Sequence, residues 1–340
     1  MRASVKICTL FAAFALCALT FCSCGGGGRD ASEAALQSIG AESAGGPNGG
    51  SASPDASEAA PGTVGPLHLL TLGDSIAYGY GLSEPEKERY SALLPALLAD
   101  RYAVVDENCG VSGMTGAELV EYLRGPDAPA GLREADAALI SIGGNDVLGF
   151  LPEALAPVGD LSTLTELLGR YALYLLRPTS ALAPAIGELE DVLETINACF
   201  ASDSFRQRLE EAAARLHDAV CGAAQAIRAV NPSAVLLIST IYNPYKGVRV
   251  VLPQLTASVE LSEYGDIAVR RLNDAIREAA EEEGLRVVDV YARFEASGEQ
   301  LVNAAFSLSP LRINFDVHPN AAGHAQIAAA YEDAIRGIDF

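Results

Sequence analysis

Basic side chains are scarce in this sequence, and their scarcity argues against one broad class of partner. Its 340 residues include 23 lysines and arginines against 44 acidic residues, which gives a formal net charge of −21. Binding to a nucleic acid relies on positive charge facing the phosphate backbone, so the sequence predicts no nucleic-acid partner. The hydrophobic fraction of 50% is ample for a buried core.

The motifs that hold common cofactors are absent too. No two histidines have the H-E-x-x-H spacing of zinc hydrolases, no Cys-x-x-Cys occurs, and no glycine-rich run ends in Gly-Lys as a P-loop does. The G-x-S-x-G turn of the α/β-hydrolases is also missing. We therefore expect no metal and no nucleotide cofactor.

The N-terminal region contains an apolar run, residues 7–19, that is shorter than the roughly 20 residues of a membrane span. It follows the basic residues Arg2 and Lys6 and precedes small residues and cysteines, which is the order of an export signal. We expect residues 1–23 to be a signal peptide, and the mature protein to act outside the cytoplasm.

The end of this region resembles a bacterial lipoprotein cleavage site, in which a small residue precedes the cysteine that receives the lipid. Ser23 precedes Cys24, whereas the bulky Phe21 precedes Cys22, so Cys24 is the expected lipid anchor. An aliphatic residue is usual where Phe21 stands, and an ordinary signal peptide cleaved nearby is the alternative. In the first interpretation, only the lipid attaches the protein to a membrane.

Residues 24–65 consist mainly of glycine, serine, alanine, proline and acidic residues. Such a composition cannot bury enough apolar surface to offset the entropy of ordering, so it predicts a flexible tether. A globular domain is expected over residues 66–340, as a monomer. It contains three cysteines; Cys199 and Cys221, on consecutive predicted helices, are the expected pair if a disulfide forms.

Short apolar segments alternate with amphipathic ones from residue 68 onward. The apolar segments predict strands at 68–72, 102–105, 137–142, 234–241 and 285–290. Helical spacing predicts helices at 86–100, 115–123, 204–229, 262–283 and 321–336. This alternation predicts an α/β fold with a parallel sheet covered on both faces and a ligand site beyond the carboxyl ends of its strands.

Residues 147–205 interrupt the alternation after the third strand. Leucines and tyrosines at helical spacing over 161–176 predict a helical insertion. Two interpretations stand: a lid or pocket wall beside the site, or helices whose apolar stripe packs onto the core. A second irregular stretch, 242–261, follows the fourth strand.

Four short blocks carry groups suited to chemistry. Gly-Asp-Ser75 follows the first strand, where a tight turn would present the serine hydroxyl to a base within hydrogen-bond reach. Gly113 follows the second strand and Asn145 the third, where a backbone N–H and a side-chain amide can donate to an oxyanion. His318 precedes the last helix. Taken alone, the Gly-Asp-Ser turn is also compatible with a simple helix cap.

In their order and positions these blocks resemble the signature blocks of the SGNH hydrolases, or GDSL-type esterases, over about residues 67–335 without the two irregular stretches. The resemblance implies a flavodoxin-like three-layer α/β/α sandwich around a five-stranded parallel sheet, with the helical insertion added. It implies that Ser75 is the nucleophile and His318 its general base. It also implies an oxyanion hole made of the Ser75 and Gly113 N–H groups and the Asn145 amide.

The chain departs from this family at one position. The family often has an aspartate three residues before the histidine, where Phe315 stands here. Asp316 is two residues before His318, and residues two apart on an extended segment face the same side about 6–7 Å apart, so Asp316 can orient the imidazole. The alternatives are a backbone carbonyl as the orienting group, or an Asp316 that only caps the helix.

The resemblance implies hydrolysis of a carboxylic ester through an acyl-enzyme intermediate, without a cofactor. The leucine- and tyrosine-rich insertion favours a lipid or acyl ester, as for a lipase or lysophospholipase. A carbohydrate esterase that removes acetyl groups from polysaccharide is the main alternative. A surface binding protein without activity is a more remote one.

Overall fold

The structure, a computed structural model, describes residues 64–308, 311–314 and 316–340. The expected signal peptide, Cys24, nearly all of the expected tether and Phe315 lie outside the described residues. Among the helices that are described, none combines the length and the apolar character needed to cross a membrane.

The domain alternates strands and helices. Its strands are β1 (Val64–Gly73), β2 (Tyr102–Gly110), β3 (Ala137–Ser141), β4 (Val235–Ser239), β5 (Val250–Val251), β6 (Ser258–Val259), β7 (Arg286–Val288), β8 (Ala305–Leu308) and β9 (Leu311–Asn314). Its α-helices are α1 (Ser75–Tyr78), α2 (Pro85–Glu88), α3 (Tyr90–Leu97), α4 (Gly116–Arg124), α5 (Gly144–Leu148), α6 (Leu151–Ala154), α7 (Leu161–Leu176), α8 (Pro184–Ala201), α9 (Asp203–Val230), α10 (Leu261–Glu283), α11 (Val290–Ala296) and α12 (Ala321–Arg336).

Five strands form one parallel sheet in the order β2-β1-β3-β4-β7. Side chains alternate between its faces. On β1, Leu67 and Leu69 enter one core cluster, while Leu70 and Leu72 enter another on the opposite face. Helices α4, α9 and α10 cover the Leu70 face, and α3, α11 and α12 cover the other. The three-layer α/β/α sandwich predicted from the sequence is therefore confirmed.

Several elements differ from the sequence prediction, and two of the differences have a clear physical cause. Strand β2 runs five residues beyond residue 105, to Gly110, because its polar end still pairs with β1 and because Ser91 and Thr71 donate hydrogen bonds to Asp106. The helix predicted over 86–100 is divided in two, since Arg89 has an extended backbone (ψ 149°).

The helical insertion packs largely against the second irregular stretch. Leu167 and Leu168 of α7 are buried together with Leu189 of α8, and Leu252 and Leu255 of the second stretch pack against this cluster. Tyr171 donates a hydrogen bond to the Pro253 carbonyl. These contacts tie the two irregular stretches to each other, and whether the insertion moves as a lid stays a prediction.

Cys199 and Cys221 are both free cysteines, so the expected disulfide between them is not present. Cys199 lies near the end of α8, whereas Cys221 lies 18 residues after the start of α9. At 1.5 Å per residue, that places Cys221 about 27 Å along α9 from its start. Cys199 lies close to the junction of the two helices and Cys221 lies far from it. Their Cα atoms are therefore farther apart than the roughly 7 Å that a disulfide allows.

Candidate active site

The carboxyl ends of β2, β1 and β3 lie side by side. Gly73 of β1 is in register with Gly110 of β2 and with Ser141 of β3. Backbone hydrogen bonds continue this alignment beyond the sheet, because Asp74 N–H donates to the Ser141 carbonyl (3.2 Å) and Val111 N–H to the Gly73 carbonyl (2.9 Å). The loops that follow the three strands therefore meet at one edge, with the β1 turn in the middle.

The β1 turn is tight enough to require a glycine. Gly73 has a φ of +141°, and a Cβ on it would lie 1.9 Å from the Ser141 carbonyl oxygen. Asp74 then caps α1, since its Oδ1 accepts the Ile76 N–H at 2.9 Å. Ser75 is thus the first residue of α1, where a backbone N–H has no intrahelical acceptor, and this N–H donates to no other described residue.

Ser75, His318 and Asp316 form a continuous hydrogen-bonded chain. The Ser75 Oγ is 2.9 Å from His318 Nε2, and His318 Nδ1 is 2.5 Å from Asp316 Oδ1. Because an ionised carboxylate only accepts, Nδ1 carries the proton and Nε2 accepts the serine O–H. Ser75 and His318 are only 8% and 7% exposed, so the pair is largely shielded from bulk water. The structure brings together the three residues that the sequence analysis assigned to nucleophile, base and orienting acid.

Asp316 faces the imidazole and does not cap the last helix. The cap of α12 is Asn320, whose side chain accepts the Gly323 N–H. Asp316 instead accepts the His318 backbone N–H (3.1 Å) and the Asn303 amide N–H (2.9 Å). Burial raises the pKa of Asp316, but the hydrogen bonds from His318 outweigh it, so its net pKa lies below the ordinary value. The carboxylate is therefore ionised at neutral pH.

Residues that no motif indicated hold the histidine loop in place. Asn303 N–H donates to the His318 carbonyl (2.9 Å) in addition to its side-chain bond to the neighbouring carboxylate. The buried Tyr242 donates its hydroxyl to the Val317 carbonyl (2.8 Å). The Tyr80 ring lies 4.6 Å from the His318 ring, tilted by 46°. These contacts come from distant parts of the chain, so no local sequence pattern could reveal them.

The two predicted oxyanion donors lie on segments that are joined to each other, Gly113 on a loop and Asn145 in the first turn of α5. Gly113 has a φ of +85°, and its N–H donates to no other described residue. One amide N–H of Asn145 donates to the Met114 carbonyl (2.9 Å), which leaves the second N–H for another acceptor. Asp146 accepts the Gly116 N–H (3.1 Å) and joins the same two segments. The Val111 N–H bond to the Gly73 carbonyl ties the glycine loop, and with it Asn145, to the β1 turn.

A buried acid directly precedes the nucleophile. Asp74 is 2% exposed, and burial raises its pKa to about 7, against the lowering effects of its bond from Ile76 N–H and of the charge on His318. Ionisation of this carboxyl group is therefore unfavourable in the folded protein.

Three large side chains on the segments around the β1 turn are exposed to solvent. Tyr78, Tyr80 and Val111 are 50%, 47% and 45% exposed. Tyr78 and Tyr80 follow Ser75 on and just after α1, and Val111 is bonded to the β1 turn. We call these three side chains the apolar rim.

In this α/β sandwich, a serine, a histidine and an aspartate are joined by hydrogen bonds at the carboxyl edge of the sheet. This is the architecture of a serine hydrolase. The model of the GDSL-like Lipase/Acylhydrolase family matches residues 71–326, about three quarters of the chain. The chain belongs to this family, and it is a GDSL-type serine hydrolase that acts on ester bonds.

Solved structures with a similar chain path were also found. An extracellular lipase from Streptomyces rimosus is 17% identical, covers 80% of this chain and 100% of its own, and has a TM-score of 0.47. Phospholipase A1 from Streptomyces albidoflavus is 21% identical over 79% of this chain and 98% of its own, with a TM-score of 0.46. A lipolytic G-D-S-L family protein from Veillonella parvula is 14% identical over 80% of this chain and 100% of its own, with a TM-score of 0.45. A comparison with curated protein sequences gives no match.

Proposed function

We propose that this protein hydrolyses lipid or acyl esters by a two-step serine mechanism. The contact that supports the mechanism is the 2.9 Å hydrogen bond between Ser75 and His318, with Asp316 behind the imidazole. The feature that supports an acyl substrate is the apolar rim, which offers an alkyl chain apolar surface next to the nucleophile.

In the first step, the Ser75 oxygen attacks the ester carbonyl carbon while its proton passes to His318 Nε2. The oxyanion accepts hydrogen bonds from the Ser75 and Gly113 N–H groups and from the free Asn145 amide N–H. The bond to the leaving alcohol then breaks as Nε2–H protonates the alcohol oxygen. Ser75 is left bearing the acyl group.

In the second step, a water molecule attacks the acyl carbon and gives its proton to Nε2. The bond to the serine oxygen breaks, that oxygen takes the proton back, and the carboxylic acid leaves. Asp316 accepts the Nδ1–H bond throughout and stabilises the imidazolium in both steps.

The mechanism is tested with a Ser75→Ala variant and p-nitrophenyl esters. We expect hydrolysis to fall by at least about 10⁴-fold with an unchanged far-UV circular dichroism spectrum. The matched control is Ser112→Ala, which removes a hydroxyl from the neighbouring glycine loop and should retain wild-type activity. Full activity of Ser75→Ala would refute the mechanism.

The substrate class is tested with acyl chains of two to twelve carbons. If the apolar rim half-covers the chain, each methylene contributes about 0.4 kcal/mol, and kcat/KM rises about twofold per methylene at first. Tyr78→Ala and Val111→Ala should flatten this rise while changing acetate hydrolysis less. A maximum at acetate would instead favour a carbohydrate O-deacetylase.

We also propose that Cys24 carries a lipid that anchors the enzyme to the outer side of the cell membrane. The support is the signal-like composition of residues 1–23 and the small Ser23 before Cys24. Metabolic labelling with an alkyne fatty acid should be lost in Cys24→Ser and kept in Cys22→Ser. Loss in Cys22→Ser alone would assign the anchor to Cys22.

A further inference from the structure

Three potential metal ligands meet between the two longest helices, away from the active site. His217 and Cys221 are one turn apart on α9, and Glu282 lies near the end of α10. One ligand atom from each, an imidazole nitrogen, the thiol sulfur and a carboxylate oxygen, lie within 4.8 Å of one another. His217 Nε2 is 3.4 Å from Glu282 Oε2.

These ligand types and distances suit Zn²⁺. Zinc binds Cys sulfur, His nitrogen and carboxylate oxygen at about 2.0–2.3 Å in a tetrahedron, so pairs of ligand atoms lie about 3.3–3.6 Å apart. The nitrogen–oxygen pair already has this separation, at 3.4 Å. Glu282 has a side chain that is 62% exposed and can therefore adjust, whereas Cys221 is 8% exposed. Because the side chains of His217 and Glu282 are partly exposed, a water molecule from solvent can serve as the fourth ligand.

The surroundings of His217 resemble the support that metal-binding imidazoles receive. Its Nδ1 is 3.5 Å from Asp218 Oδ1, so Nε2 faces Glu282 and the other ligands. A carboxylate on the outer imidazole nitrogen fixes the ring and its tautomer in many zinc sites. The arrangement therefore supplies an orienting group as well as ligands.

The local charge also favours a cation. The carboxylates of Asp218 and Glu282 lie on either side of the His217 ring, at 3.5 Å and 3.4 Å from its two nitrogens. The neighbouring Glu283 is already paired with Arg228 at 3.0 Å. A divalent cation would relieve the repulsion between the unpaired carboxylates.

We propose that His217, Cys221 and Glu282 form a Zn²⁺ site that ties α9 to α10. Helix α10 ends three residues before β7 begins at Arg286, so the site lies toward the amino-terminal edge of the sheet. The catalytic residues lie at the opposite, carboxyl edge. The bound ion therefore stabilises the domain and takes no part in ester hydrolysis.

The test uses the chelator-treated full chain under reducing conditions, with Co²⁺ as a spectroscopic substitute for Zn²⁺. Wild-type protein should gain thiolate-to-cobalt absorption in the near ultraviolet, and one equivalent of Zn²⁺ should remove it. Cys221→Ser should lose this band. His217→Gln and Glu282→Gln should bind Co²⁺ about 100-fold more weakly or worse. The matched controls, Cys199→Ser and Glu281→Gln, should behave as wild type.

If the Cys221 variant does not fold, the effect of Zn²⁺ on the Tm tests the site without it. Zn²⁺ at a hundredfold excess over its Kd should raise the Tm of the wild type by about 5 °C. It should not raise the Tm of His217→Gln or Glu282→Gln, whose altered side chains lie toward solvent. A cobalt–thiolate band that persists in Cys221→Ser, or an equal Zn²⁺-dependent shift in His217→Gln, would overturn the proposal and leave His217 as an ordinary partner of its neighbouring carboxylates.

Discussion

The nucleophile and its base are held by two regions of different construction. Ser75 follows directly from a central strand, and the turn beneath it packs against the neighbouring strand ends. His318 lies outside the sheet, in a loop held by hydrogen bonds from Asn303 and Tyr242. The nucleophile is therefore positioned by the core of the fold, and the base by a loop that a few backbone and side-chain hydrogen bonds hold.

This difference separates two kinds of defect. A change beneath Ser75 disturbs strands on which folding depends, so stability and activity should fall together. A change in the loop around His318 removes single hydrogen bonds at the edge of the domain, so activity should fall with little loss of stability. Gly73→Ala, Asp316→Asn and Asn303→Ala test that separation, whereas Asp74→Asn tests only the charge of the buried acid beside Ser75.

Gly73→Ala should have the largest effect. A Cβ would lie 1.9 Å from the Ser141 carbonyl oxygen at a φ of +141°, which no side-chain movement can relieve. We expect no folded protein, as judged by circular dichroism and the soluble yield. The control is Gly169→Ala on α7, where a Cβ meets nothing within 4 Å and helix propensity favours alanine by up to about 1 kcal/mol. A folded Gly73→Ala variant would show that the core does not hold the turn as described.

Asp316→Asn should reduce kcat/KM by about 10³–10⁴-fold with nearly unchanged Tm. The amide can donate to Nδ1 and favour the tautomer in which Nε2 carries the proton, so Nε2 can no longer accept the serine proton. Asp100→Asn, a surface substitution far from the loop, is the control for loss of one charge. A loss below tenfold would indicate that Asp316 is dispensable.

Asn303→Ala should reduce kcat/KM about 10- to 100-fold, as loss of an orienting partner does in other sites. Asn303 acts through Asp316, so the informative measurement is the double variant Asn303→Ala/Asp316→Asn. Once Asp316 no longer orients the imidazole, loss of the Asn303 donor should lower kcat/KM by less than about threefold further. Losses that simply multiply would point to a role of Asn303 that does not pass through Asp316.

Asp74→Asn should have the smallest effect on the rate and a visible effect on stability. The folded pKa of Asp74 is raised to about 7 from 3.8, so the folded state binds the proton more tightly than the unfolded state. The wild type should lose stability as the pH rises from about 4 to 7, by up to about 4 kcal/mol. Asparagine keeps an acceptor for Ile76 N–H and does not ionise. The Tm of Asp74→Asn minus that of the wild type should therefore grow as the pH rises across this range. A difference that stays constant would contradict the raised pKa of Asp74.

Much of the fold could be predicted from the sequence, because buried parallel strands are apolar throughout. The apolar pattern did not predict strand residues that are polar and hydrogen-bonded to other side chains, such as Asp106 in β2. It also failed at Arg89, where an extended residue divides a continuous helical pattern. Neither feature changes the hydrophobic period on which the prediction depends.

For the candidate site, the residues in short blocks could be found and their distant partners could not. Ser75, Asn145 and His318 each follow or precede a predicted element, so topology alone brings them to one edge. Asn303 reaches Asp316 across 13 residues through a loop that carries no motif. The proposed zinc ligands escape a motif search for the same reason, because they come from two helices.

Labelling the enzyme with a fluorophosphonate and mapping the adduct by peptide mass spectrometry would identify the nucleophile. We expect one adduct per chain, on Ser75, with labelling slowed strongly in His318→Ala. An adduct on another serine, or ester hydrolysis at the wild-type rate by protein that takes up no label, would contradict the assignment of Ser75 as the nucleophile.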